Sequence, residues 1–195
     1  MVEFDRQVNN LLSKGYPSIF SSLKNDLKGI KLKEPDLENG KLPFVIVVKN
    51  EVMTNEEMME KVVRDGKIGI TKLFPLKPTD FSTLASVKVP NKPAYLLIDI
   101  DRGRETLNVR PEDALKKITS QKRSPLTIDE GIAIITQYPE FLMKNNCFSL
   151  LASRHTGDQR VPAIWINEAK HPNLGWCWDR NPHTWLGSAS CRERI

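Results

Sequence analysis

The residues best suited to chemistry crowd into the last quarter of the chain. All three histidines (His155, His171, His183) and all three cysteines (Cys147, Cys177, Cys191) fall between positions 147 and 191. Cys177, Asp179 and His183 supply a thiol, an acid and a base within one short segment, the components of a cysteine nucleophile. Activation would require the imidazole within hydrogen-bond reach of the sulfur in an exposed cleft, and the flanking Trp176 and Trp178 argue equally for a buried thiol. Sulfur and imidazole ligands of this kind also suit zinc, which takes four of them tetrahedrally. The close ligand pairs of zinc modules are missing from the sequence, so a metal centre would have to be assembled by the fold from distant positions.

The same region holds every tryptophan of the protein: Trp165, Trp176, Trp178 and Trp185. Polar side chains are interleaved with them. Flat rings edged by Arg, Asn and Asp suit a pocket for a sugar, a nucleotide base or a peptide. On that composition the expected ligand-binding residues are Arg154, Arg160, Trp178, Asp179, Asn181, His183 and Trp185, whereas Trp165 reads as core.

Elsewhere the chemistry is thinner. Asp99-Ile100-Asp101 places two carboxylates i, i+2 at the end of an apolar run, a spacing able to hold Mg²⁺ and a phosphate. The following Asp-Arg-Gly-Arg favours instead a hairpin turn with Gly103 at positive φ. A phosphate-binding Gly-x-x-x-x-Gly-Lys loop, a dinucleotide glycine fingerprint, a His-Glu-x-x-His helix and a Gly-x-Ser-x-Gly elbow are all absent from the sequence.

The formal charge is +5, from 29 basic and 24 acidic residues, spread evenly and without a basic tail. That distribution argues against nucleic acid as a partner and leaves a small molecule or a peptide. With 39% hydrophobic and 27% charged residues, the 195-residue chain has material for a real core and is not disordered. The odd cysteine count without a Cys-x-x-Cys pair, the absence of an apolar leader and the lack of any membrane-length run predict a reduced, cytoplasmic protein away from membranes.

The elements that must position these residues follow from periodicity. Phe4, Val8, Leu11 and Leu12 predict a helix stopped by Gly15, and a second helix is expected over 18–27. Phe44–Val48 and Tyr95–Ile100 read as strands buried on both faces, with Glu105–Val109 returning as a hairpin partner of the second. Thr54 with Glu57, and Thr127 with Glu130, form capping boxes that open helices, the first running to about Arg64 and the second with Ile128, Ile132 and Ile135 inward. Pro111 opens a helix to Ile118, and Pro139 another ending near Asn145. Three strand-length segments, 147–153, 161–167 and 174–179, predict an antiparallel meander with Trp176 and Trp178 on one face and Cys177 on the other. The expected fold is α+β: N-terminal helices and mixed sheet, then a three-stranded Trp-rich meander. It forms one domain over 1–195, with any sub-boundary near 120–126, between a 1–119 part and a 124–195 part.

The segments Pro125–Gly131, Asn146–Leu151, Gly157–Ala163, Leu174–Trp178 and Asn181–Gly187, with Glu3–Val8 and Tyr95–Asp101 extending the pattern along the whole chain, together resemble a bacterial family of uncharacterised proteins found in actinobacteria and Gram-positive relatives. The resemblance implies no activity, cofactor or partner. It does imply that a histidine is not required at the position of His155, which leaves Cys147, Cys177, His183 and Cys191 as the metal-ligand set. The leading expectation is therefore a binding or accessory protein with a small-ligand or peptide site in the C-terminal third. The alternative is a small metal-dependent or cysteine-based enzyme using Cys177, His183 and Asp179.

Overall fold

The computed structural model describes residues 2–195. Its centre is the helix Ile128–Gln137, in which every residue but Asp129 is buried. Thr127 opens it with the expected capping box, its hydroxyl accepting from the Glu130 N–H while the Glu130 carboxylate accepts from the Thr127 N–H. The Thr54–Glu57 capping box also forms, but the helix it opens ends at Glu60, because Val63–Arg64 and Lys67–Ile68 pair as a tight hairpin through Asp65-Gly66.

Two five-stranded sheets flank the central helix. In the first, Lys41–Val48 pairs antiparallel with Ala94–Asp101, Phe44 opposite Ile98 and Val47 opposite Tyr95. The central helix packs on the first of these strands and the short helix Leu23–Asp26 on the second, which is why residues 42–48 and 94–98 are apolar without alternating. The tail completes this sheet: Glu193–Arg194 pairs with Ala94–Asp101, and Ser190–Cys191 bridges that strand to Ser124–Pro125. The outer edge of Lys41–Val48 is closed by a side chain. Gln7, wholly buried on the N-terminal helix Val2–Ser13, donates to the Phe44 carbonyl at 3.1 Å and accepts from the Ile46 N–H at 2.9 Å, standing in for a neighbouring strand.

The second sheet runs Leu186–Ser188, Cys147–Ser149, Arg160–Ile166, Pro172–Trp178, Ile70–Thr71. Its three middle strands are the antiparallel meander expected from sequence, although the first stops at Ser149 instead of running to Ser153, and the two edge strands join in parallel. Strands from before residue 120 and after residue 124 thus share both sheets.

Three further expected elements differ. The 18–27 helix forms only over Leu23–Asp26, and Pro139 begins a single 3-10 turn, Pro139–Phe141, not a helix to Asn145. Glu105–Val109 is not a strand. Gly103, at φ 89°, turns the chain into the 3-10 turn Arg104–Thr106, and the Thr106 hydroxyl then accepts from the Ser188 N–H at 2.8 Å, docking the turn on the second sheet. A hairpin partner for Ala94–Asp101 is unnecessary because both of its edges are already taken. Arg102 in the same turn is 2% exposed and donates to the carbonyls of Leu37, Glu38 and Phe141, tying two loops to the sheet end.

The tail is locked by an ion pair. Arg194 meets Glu130 through two parallel contacts of 2.5 and 2.9 Å, with side chains 4% and 0% exposed. Tyr95 donates its hydroxyl to the same carboxylate at 2.7 Å, and Arg194 uses its remaining N–H groups on the Ser124 hydroxyl and the Pro125 carbonyl. Both charges are therefore hydrogen-bonded as well as paired, the condition for burying them without a large penalty.

Candidate functional site

Alternation along Pro172–Trp178 separates the chemistry onto the two faces of the second sheet. Trp176 and Trp178 share one face, with ring centroids 5.2 Å apart edge to face. Arg160, opposite Trp178 in register, lays its guanidinium 4.6 Å from the Trp176 ring and 5.4 Å from the Trp178 ring. Trp176 donates its indole N–H to the Leu73 carbonyl at 3.1 Å, and Trp178 is 44% exposed. Nearby Arg154 and Asp179 form a 2.5 Å ion pair.

Cys177 points to the opposite face, where it packs on the small cluster of Ala114, Ile118, Leu151 and Val161. Its sulfur lies 4.0 Å from the Ser149 hydroxyl, and burial pushes the thiol up to about 11. A nucleophilic cysteine needs the reverse shift. No hydrogen bond joins Cys177 to His183 or Asp179 among the described residues: Asp179 is held by Arg154, and the His183 ring lies 5.0 Å from Trp185. Burial also lowers the His183 imidazole below its usual range, so it is neutral near pH 7.

The four expected metal ligands are dispersed. Cys147 stands in the second sheet and Cys191 in the first, with burial raising their thiols to about 11 and about 12. No group of three or more His, Cys, Asp or Glu converges as a metal site among the described residues. The paired carboxylates of 99–101 are committed as well: Asp99 to Arg123 at 3.2 Å, and Asp101 to Lys41 and the Gly103 N–H.

A concavity lies on the Cys177 face, at the far end of the meander. It is a cleft of about 560 Å³ lined by Trp165, Trp185, Cys147, Lys72, the Lys144-Asn145 turn and the Ile166–Ala169 turn. Trp165 and Trp185 meet edge to face, centroids 6.2 Å apart and planes at 65°, forming a corner. Trp185 is set by the backbone, its carbonyl accepting from the Cys147 N–H at 2.9 Å. Trp165 is set by a glycine. It lies diagonally across the strand pair from Gly175, where a Cβ would stand 2.2 Å from its Cη2. The first of these turns carries a non-glycine residue in the left-handed region, Asn145 at φ 63°, and Lys170, just after the second, lies there too at φ 70°. Asn167 closes the second turn by accepting, through its side-chain oxygen, from the His171 N–H at 3.0 Å.

Of the seven residues expected to bind a ligand, Trp185 lines this cleft, with His183 against its ring. Arg154, Arg160, Trp178 and Asp179 stand at the other end of the meander, and Asn181 is an exposed turn residue. Trp165, Lys72, Lys144, Asn145 and Asn167 escaped the sequence reading of the site. Trp165 meets Gly175 only once the two strands pair, so no local sequence signal pointed to these residues.

A model of a family of unknown function, DUF5701, matches residues 10–195. The chain belongs to this family. The DUF5701 match takes in both sheets, the central helix and every residue of the cleft, but starts at residue 10. Glu3–Val8, counted in the resemblance drawn from sequence, and the edge-closing Gln7 therefore lie outside it. No curated protein and no solved structure matches the chain. No helix among the described residues is long and apolar enough to cross a membrane.

Proposed function

We propose that this DUF5701 member is a non-catalytic binding or accessory protein of the cytoplasm, whose small-ligand or peptide site is the Trp165–Trp185 cleft in the C-terminal third. The observation that carries the reading is the cleft itself. Its volume of about 560 Å³ falls within the range of roughly 300–1,000 Å³ usual for small-molecule sites, and its lining combines two tryptophans with Asn145 and Asn167. Catalysis by Cys177 is disfavoured because the thiol is protonated at neutral pH and lacks a base.

The test is a thermal-shift and tryptophan-fluorescence screen of metabolites and short peptides against the intact chain. Binders should lose their effect in Trp185→Ala and keep it in Trp178→Ala. Binders that depend on Trp178 and Arg160 and ignore Trp185 would move the site to the other end of the meander and refute the proposal.

A further inference from the structure

We infer that the cleft takes a free small anion carrying a flat ring, of the chemical class of a mononucleotide. This rests on the cleft being the binding site and adds what the site selects.

The first argument is charge. The cleft adjoins a second cavity of about 390 Å³, and the two share Lys144, Ile166, Asn167 and Glu168. Around the pair stand four cations, Arg64, Lys72, Lys144 and Lys170, against the single carboxylate of Glu168. Arg64 is occupied, donating to the Leu142 carbonyl at 2.9 Å and pairing with Asp65. Lys72, Lys144 and Lys170 take part in no ion pair among the described residues. Of the lysines lining the other cavities, Lys41 and Lys24 are paired, with Asp101 and Asp5, whereas Lys31 and Lys33 are not, among the described residues. Three unpaired ammonium groups around one depression raise the local concentration of anions and favour a ligand bearing more than one negative charge.

The second argument is shape. Trp165 and Trp185 stand at 65° to each other, and only the first cavity contains them. A flat ring can stack on one indole while its edge meets the other, the offset and edge-to-face arrangements aromatic groups prefer. Trp185 is backed by His183, and Trp165 is held over Gly175, so the corner is pre-organised rather than formed on binding. A ring in the first cavity then directs a charged substituent past Lys144 into the second. Neutral sugars or apolar peptides would leave the three lysines unused.

The experiment is calorimetric titration of the intact chain with three probes: AMP, which has ring and phosphate; adenosine, which has the ring alone; and ribose 5-phosphate, which has the charge alone. AMP should bind about tenfold or more tightly than either half, and raising salt from about 50 to about 500 mM should weaken AMP but not adenosine. Lys72→Ala and Lys144→Ala, both at exposed positions, should each weaken AMP several-fold and leave adenosine unchanged. Equal binding of AMP and adenosine would overturn the anion inference while leaving the cleft a ring site. Equal binding of AMP and ribose 5-phosphate would overturn the ring. Absence of AMP binding overturns the inference; if a screened ligand sensitive to Trp185→Ala still binds, the cleft survives as a site, and if none does, both readings fall. A 5′-phosphorylated oligonucleotide that binds about tenfold tighter than AMP would replace the free mononucleotide with a strand end.

Discussion

Replacing Gly175 with alanine should displace the Trp165 indole and lower stability. In most strands the same change helps, since glycine in a strand interior costs roughly 0.5–1 kcal/mol relative to alanine. Here the added Cβ would stand 2.2 Å from Cη2 and 2.8 Å from Cζ3 of Trp165, with the Asn173 amide nitrogen at 3.1 Å on another side. Carbon atoms in contact sit about 3.5–4.0 Å apart, so the ring must retreat by more than about 1 Å. Overpacking of this kind costs about 1–3 kcal/mol. In a chain of this size each kcal/mol lowers the melting temperature by about 2–4 °C, which gives a loss of about 2–12 °C. Thermal unfolding measures the loss, and near-ultraviolet circular dichroism reports the Trp165–Trp185 geometry. A Trp165→Val background removes the obstruction, so Gly175→Ala should be neutral or stabilising there. The coupling across that double-mutant cycle should equal the clash. A Gly175→Ala variant as stable as the parent with an unchanged aromatic spectrum, or a penalty that persists without Trp165, would refute the account of how the cleft is built.

Three further outcomes follow from buried groups. Arg194→Met strands the Glu130 carboxylate, leaving it only the Tyr95 hydroxyl and the Thr127 N–H, and should cost about 3–5 kcal/mol in urea unfolding, most of it recovered by adding Glu130→Leu; a loss below about 1 kcal/mol would show that the pair does not hold the tail. The three thiols, raised by burial to about 11 for Cys147 and Cys177 and about 12 for Cys191, should resist iodoacetamide in the native protein near pH 7 and all react once it is unfolded. Because each folded value lies above the ordinary thiol value of 9.0, the stability these groups contribute is complete below about pH 9 and is lost as pH climbs through 11 to 12. The melting temperature should decline across that window, and rapid native labelling of any one cysteine would contradict the burial argument.

The parts of the fold that were legible in the sequence are those with a local cause. A Thr hydroxyl and a Glu carboxylate three residues on can satisfy each other's backbone N–H groups only at a helix start, and both capping boxes are present. Where the boxed helix ends was less legible, because Asp65-Gly66 can turn a hairpin as readily as stop a helix. The site was harder to read. Composition pointed to the tryptophans, but the strand pairing decides whether two rings meet or face apart, and charge patterning could not reveal that Lys72 and Lys144, far apart in sequence, stand around one depression.

By itself the sequence determined the α+β class, the two buried strands, the central apolar helix and the opposition of Cys177 to Trp176 and Trp178, since each depends on a period of 2 or 3.6 along a continuous segment. Only the tertiary structure decided which strands pair and where the cleft lies. The Ala94–Asp101 strand finds its neighbours in Lys41–Val48 and in the last residues of the chain, not in the segment that follows it. At Gly103 a Cβ would stand 2.1 Å from the Ser188 carbonyl oxygen, a contact between residues 85 positions apart that diverts the chain from a hairpin into a docked turn. Pairing of that kind is set by which surfaces must be buried together, and distant segments acquire that constraint only when the core closes around them.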